Sequence, residues 1–188
     1  MKRLVLAVAL LLNMLVTALP AHAAGAETRH INFKGQFAEA VFDTVDSSGC
    51  IETFVTVIAE DRRIKQAGPP EATLRAMVDL FQLDSCSGTL LRSAFGLATL
   101  TADQFQIDKK LNAATLNATI EVTDVRFSNT FPVYVSVSWT GSGDIVHLKD
   151  PVHGTSRNAT ASGTVSDGTT NFTPQPAVSA EMGSTKRG

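Results

Sequence analysis

The clearest pattern along the chain is alternation with a period of two. Ala114, Leu116, Ala118, Ile120 and Val122 interleave with Thr115, Asn117, Thr119, Glu121 and Thr123. Successive side chains of a strand point to opposite faces, so one face here is apolar and the other rich in hydroxyls. That is the signature of a half-buried antiparallel strand. Phe131, Val133, Val135, Val137 and Trp139 repeat the pattern, with Tyr134, Ser136 and Ser138 on the opposite face. Ala159, Ala161, Gly163 and Val165 form a version with smaller side chains. The parity places Trp139 in the core and Tyr134 on the exposed face.

Earlier segments are less regular. Residues 30–42 carry apolar positions of both parities, which a bulge near Gly35 would reconcile. Residues 51–59 are apolar enough for a central strand. Residues 77–83 and 89–100 make another pair, and shorter strands are expected at 105–107 and 177–182. Asp46-Ser47-Ser48-Gly49 and Asp84-Ser85-Cys86-Ser87-Gly88 read as hairpin turns, because Asp and Ser bond their own backbone and Gly supplies positive φ. Residues 71–77, after Gly68-Pro69-Pro70, are the one helix candidate, with a plain linker as the equal alternative. The tail 183–188 has no apolar periodicity and is expected to fray. About nine strands with polar turns predict an all-β domain: a single antiparallel β-sandwich, with a β-barrel as the alternative.

The first 23 residues have a different character. Lys2 and Arg3 precede an unbroken apolar run from Leu4 to Leu12, apolar character continues to Leu19, and Ala21-His22-Ala23 follows Pro20. Basic, apolar, then small residues is the order of an export signal peptide. Cleavage after Ala23 leaves a single domain, residues 24–188, with formal charge −4 in place of −2. No later segment is long and apolar enough to span a bilayer as a helix. The exported chain is therefore expected to be secreted or periplasmic. Its two cysteines, Cys50 and Cys86, are expected to pair where the compartment permits disulfides. Each lies in or just after one of the two Asp-Ser turns, so the bridge would join two hairpin tips.

Charge and chemistry narrow the functional classes. A mildly acidic chain without a basic cluster carries no electrostatic footprint for nucleic acid, and Arg62-Arg63 and Lys109-Lys110 read as solvated pairs. No Gly-x-Ser-x-Gly elbow occurs, and no pair of carboxylates stands out. The stretch His147-x-x-Asp150-x-x-His153 combines imidazole and carboxylate, a donor set that suits zinc. Its spacing is not a recognised ligand pattern, and a solvated turn is the alternative reading. Calcium is considered at the Asp46, Asp84 and Asp167 turns, but each supplies one carboxylate where several must converge. No cofactor is assigned. Tyr134, with the hydroxyl and amide rows beside it, is the candidate ligand contact, for a glycan or a protein partner.

The segment from Phe105 to Leu111, followed by Ala113 to Thr119 and later by Ser138-Trp139-Thr140-Gly141-Ser142-Gly143-Asp144, is similar to segments of secreted bacterial proteins without an assigned activity. The resemblance implies an exported bacterial β-domain and transfers no site residue. The sequence thus points to a non-catalytic binding or structural component of the envelope. An exported hydrolase, or a metal- or glycan-binding module, is the alternative.

Overall fold

The computed structural model describes residues 32–65, 71–149 and 153–187. The signal peptide expected at 1–23 lies outside them. The described chain contains ten strands and no helix: β1 (Asn32–Val45), β2 (Ile51–Lys65), β3 (Glu71–Asp84), β4 (Thr89–Thr99), β5 (Phe105–Ile107), β6 (Ala113–Asp124), β7 (Asn129–Gly141), β8 (Val146–Leu148), β9 (His153–Ser166) and β10 (Ser179–Arg187). All neighbours are antiparallel and belong to one sheet, in the order β10-β1-β2-β3-β4-β6-β7-β9-β8.

This order does not end at an open edge, because β10 pairs with β9 as well as with β1. The circuit is uneven. β4 meets β6 over only three residue pairs, Ala94 to Gly96 against Val122 to Asp124, and β5 occupies the same edge of β6 further along. A Cβ on Gly96 would collide with the Glu121 carbonyl, so glycine is what admits β4 to this junction. The expected all-β antiparallel fold is therefore present as one sheet that is neither two separately bonded layers nor an evenly laddered barrel.

The core follows the period of two. Ala38, Ala40 and Phe42 of β1 face Val55, Val57 and Ala59 of β2, Val78 and Leu80 of β3, Leu116, Ile120 and Val122 of β6, Val133 to Trp139 of β7, and Met182 of β10 in one buried cluster. Trp139 and Phe42 are the largest fully buried side chains, and seven buried alanines share the cluster with them. Native packing density allows large side chains only where others are small. The indole Nε1–H of Trp139 donates to the Glu39 carbonyl at 2.8 Å, joining β7 to β1 through the interior.

Three expectations change. Residues 71–77 continue β3 and are not helical. Each is bonded to β2, and β4 takes the other edge from Arg75 onward, so tertiary pairing overrides helix-compatible composition. The β1–β2 register runs without interruption, so no bulge occurs at Gly35, and the irregularity lies instead at Gln82/Leu83. Phe37 simply faces outward, where its ring covers the site left empty by Gly183 on β10. Residues 183–187, expected to fray, form the second half of β10. They are held from both sides, Gly183 to Arg187 by β1 and Gly183 to Lys186 by β9.

The connection from β9 to β10 completes the closure. Where β10 stops pairing with β9, the Phe172 amide donates to the Val165 carbonyl, the Val165 amide to Thr173 Oγ1, and the Ala177 amide to the Ala161 carbonyl. The next amide, Val178, donates to Val41 on β1. Phe172 is buried and caps the core, with the Arg92 guanidinium 5.7 Å from its ring centroid.

Cys50 and Cys86 are bridged, Cα to Cα 5.2 Å, and join the β1–β2 and β3–β4 tips as expected. Each tip is also shaped by its aspartate. Asp46 accepts from the amides of Ile51 and Cys50 and from Ser48 Oγ, and Asp84 accepts from the amides of Cys86 and Ser87. The Ser87 side chain acts first on Asp84, and with it these bonds hold both carboxyls below the usual range. Because the folded values are depressed, the stability they contribute is present above pH 3.8 and is lost as pH falls through the folded values.

Two predictions arise. The bridge spans 36 residues, so Cys50→Ala/Cys86→Ala lowers the unfolding free energy by roughly 3–4 kcal/mol in the chain-entropy account. Urea melts of the two proteins measure it, and a loss below about 1 kcal/mol would show that the turn bonds alone hold the tips. The second concerns the closing ladder, where Glu39 lies directly opposite Glu181. Burial, and then the Glu181 charge, raise the Glu39 carboxyl above its ordinary value. A raised folded pKa makes ionised Glu39 a cost at neutral pH that disappears as pH falls below both folded and unfolded values. Glu39→Gln therefore raises Tm at pH 7, and the gain shrinks on acidification. An equal or lower Tm at pH 7 contradicts this.

Candidate functional site

The outer face of β6, β7 and β9 is assembled by register from the polar parity of each strand. Thr119, Tyr134 and Ser166 form one cross-strand row, Asn117, Ser136 and Thr164 the next, and Thr115, Ser138 and Ser162 a third. Their neighbours of opposite parity, Leu116, Ile120, Val133, Val135, Val137 and Val165, are buried and fix which way the face points. The neutral hydroxyl and amide character of the face thus follows directly from the alternation in the sequence.

A depression of about 360 Å³ lies on this face, bordered by Gln104, Asn117, Thr119, Tyr134, Ser136 and Thr164. Tyr134 is 51% exposed. Gly168, from the turn after β9, lies beside its ring, close enough that a Cβ there would sit 3.4 Å from Cε2. The Ser136 hydroxyl donates to Asn117 Oδ1 at 2.7 Å, so the amide nitrogen is the donor that this side chain keeps. Gln104 is placed by the short turn before β5, where its Oε1 accepts from the amide and hydroxyl of Thr101 and its carbonyl accepts from the Asn117 amide. No carboxylate, imidazole or amine borders the depression. Tyr134 is the one titratable side chain among the residues that border it.

The other sequence candidates are placed as follows. His147 on β8 is opposite Thr155 of β9, and His153 lies two residues from Thr155 on the same face, so the two imidazoles occupy diagonal positions on adjacent strands. Asp150, the third member of that set, lies outside the described residues. Among the described residues, three potential metal ligands converge at Cys50, Asp84 and Cys86, but the two sulfurs there are joined to each other. Asp167 uses its carboxylate to accept from the amides of Thr169 and Thr170, which shapes the turn beside Tyr134. It also pairs with Arg92 at 3.5 Å.

Sequence reasoning found Tyr134 and the polar rows that hold Asn117, Thr119 and Thr164, but missed Gln104 and Gly168. Those two reach the face only through the turn before β5 and the turn after β9, and no spacing along the chain signals either.

No family model matches the chain, and no curated protein matches it. Among solved structures, it is similar to a Nitrosomonas europaea protein titled a "putative AttH", with 13% identity and a TM-score of 0.43. The match covers 90% of this chain and 57% of the other, so the chain spans little more than half of that protein's length.

Proposed function

We propose that this chain is an exported, disulfide-stapled β-domain that acts by non-covalent binding, and that its ligand is a neutral glycan seated against Tyr134. The observation that carries this reading is the uncharged depression itself, a half-exposed aromatic ring flanked by hydroxyl and amide groups from three strands and the turn before β5. A sugar has an apolar C–H face that packs on an aromatic ring and a rim of hydroxyls that exchange water for side-chain hydrogen bonds. A neutral surface suits it, because no charge is stripped of water when the ligand arrives. The export reading rests on the basic-apolar-small leader and agrees with the Cys50–Cys86 bridge. No helix among the described residues is long and apolar enough to cross a membrane.

One ring and a few hydrogen bonds give modest affinity, with Kd of order ~1 mM for a short oligosaccharide. Repeated units on a polymer would raise the apparent affinity when several copies of the domain are held close together. The test is an NMR titration of isotope-labelled protein with neutral glucan, xylan and mannan oligosaccharides. Amide shifts are expected at 117–119, 134–136 and 164–168, and Tyr134→Ala should weaken binding at least about tenfold with Tm unchanged. Two results overturn the reading: no oligosaccharide perturbing these amides, or release of new reducing ends during the titration, which would make the protein a hydrolase.

A further inference from the structure

A second depression, of about 570 Å³, lies at the end of the sheet opposite the disulfide, where β1 begins and β10 finishes. Lys109, Lys110, Asn112, Asp144, His147 and Arg157 are among its lining residues. These residues come from the β5–β6 loop, the β7–β8 connection, β8 and β9, and none of them borders the Tyr134 face.

Arg157 is held in place before any ligand arrives. Its Nε donates to the Gly143 carbonyl at 3.0 Å, and its Nη1 donates to Asn112 Oδ1 at 2.6 Å and to the Leu111 carbonyl at 3.3 Å. Its stem crosses Gly141, where a Cβ would approach Cδ and Nε to 3.1 Å. Nη2 has no partner among the described residues, so two N–H donors remain on a fixed guanidinium.

The lysines are presented by a loop of unusual backbone. Leu111 has φ of 56° and is 2% exposed. A branched residue in the left-handed region persists only where its surroundings over-determine it. Asp108 does this by accepting from the Lys110 amide and from both the amide and side chain of Asn112, while its own carbonyl accepts from the Leu111 amide. The result is that Lys109 and Lys110 stand exposed at the rim beside Arg157. Lys109, Lys110 and Arg157 make no ion-pair contact among the described residues, although Asp108 lies near enough for its charge to interact with Lys110 and Asp144 also lines the depression.

More cations are gathered at the same end. Arg63, Lys34, Lys186 and His153 are successive register partners across β2, β1, β10 and β9. Like charges directly opposite on a ladder are destabilising. Arg63 is offset by Asp61 at 3.6 Å, whereas the adjoining lysines have no ion pair among the described residues. In a chain of net charge −2, the cations at this end outnumber Asp61, Asp108 and Asp144 beside them, an imbalance that favours anions.

We propose that this depression binds a small molecule bearing a phosphate or sulfate group, with the Arg157 Nη2 donors and the ammonium groups of Lys109 and Lys110 taking its oxygens. The proposal is independent of the glycan reading. Its test is calorimetric titration of the full chain at constant ionic strength with pyrophosphate, sulfate and citrate, chloride being the reference. Saturable binding of pyrophosphate or sulfate is expected, with citrate at least about tenfold weaker. The relative affinities of the first two identify which oxyanion the site takes. Lys109→Ala/Lys110→Ala should weaken binding by about tenfold or more, which corresponds to at least one charge-assisted contact. Both lysines are exposed, so Tm should not move. Arg157→Lys should also weaken binding, whereas Tyr134→Ala and Arg126→Ala, the latter in the β6–β7 turn away from the depression, should leave it unchanged. The proposal is overturned if neither oxyanion binds saturably, if citrate binds as tightly as both, or if the double lysine variant keeps full affinity.

Discussion

The structure depends on β10 being shared. A curled antiparallel sheet leaves two edges, and each exposes unpaired backbone groups unless something covers it. Here one nine-residue strand covers both, bonding to β1 along one side and to the first half of β9 along the other. Where it stops reaching β9, residues 172–177 take over that edge with individual hydrogen bonds, and Phe172 closes the core beneath them. The indole of Trp139 reaches from β7 to the Glu39 carbonyl of β1 and holds the same region from within. The closing ladder carries a charge penalty at Glu39 and Glu181, and a close fit at Phe37 and Gly183.

Closure also separates the surface into regions of different chemistry. The outer face of β6, β7 and β9 is rich in hydroxyls and neutral around Tyr134, with the Glu121 carboxylate one row away, because these strands are exposed on one side only and their polar parity is mostly Thr, Ser and Asn. The two ends differ in sign. The disulfide end carries Asp43, Asp46, Glu52, Asp84 and Asp124, with Arg92 and Arg126 as its cations, while Lys34, Arg63, Lys109, Lys110, Arg157 and Lys186 outnumber Asp61, Asp108 and Asp144 at the other. The neutral face and the cationic end are different surfaces carried by the same strands. The two proposed ligands therefore fall on separate surfaces.

The sequence was most legible where each strand has one dry and one wet face. β6 and β7 alternate without interruption, so their core residues and the exposed position of Tyr134 follow from parity alone. The disulfide was legible because two cysteines lie at matching Asp-Ser turns. Legibility fell where backbone pairing, not side-chain pattern, sets the structure. The start of β3 is composed of Glu, Ala, Thr, Leu, Arg and Met, all but Thr73 at ease in a helix, and is extended because β2 lies beside it. The second half of β10 contains no buried apolar side chain after Met182 and is strand because two edges need it. The cationic depression was invisible for a simpler reason: Lys110 and Arg157 are far apart in sequence and are brought to one place only by the β6–β7–β9 pairing.

Hydrogen exchange on the amides of residues 183–186, measured in the native state, tests the closure most directly. A strand bonded on both sides should exchange only through large-scale opening, with protection comparable to the β1–β2 ladder. Protection of that order is the expected result. Exchange at the rate of a free peptide would mean that the segment is a frayed tail, that β1 and β9 are open edges, and that the cationic end is not assembled as described.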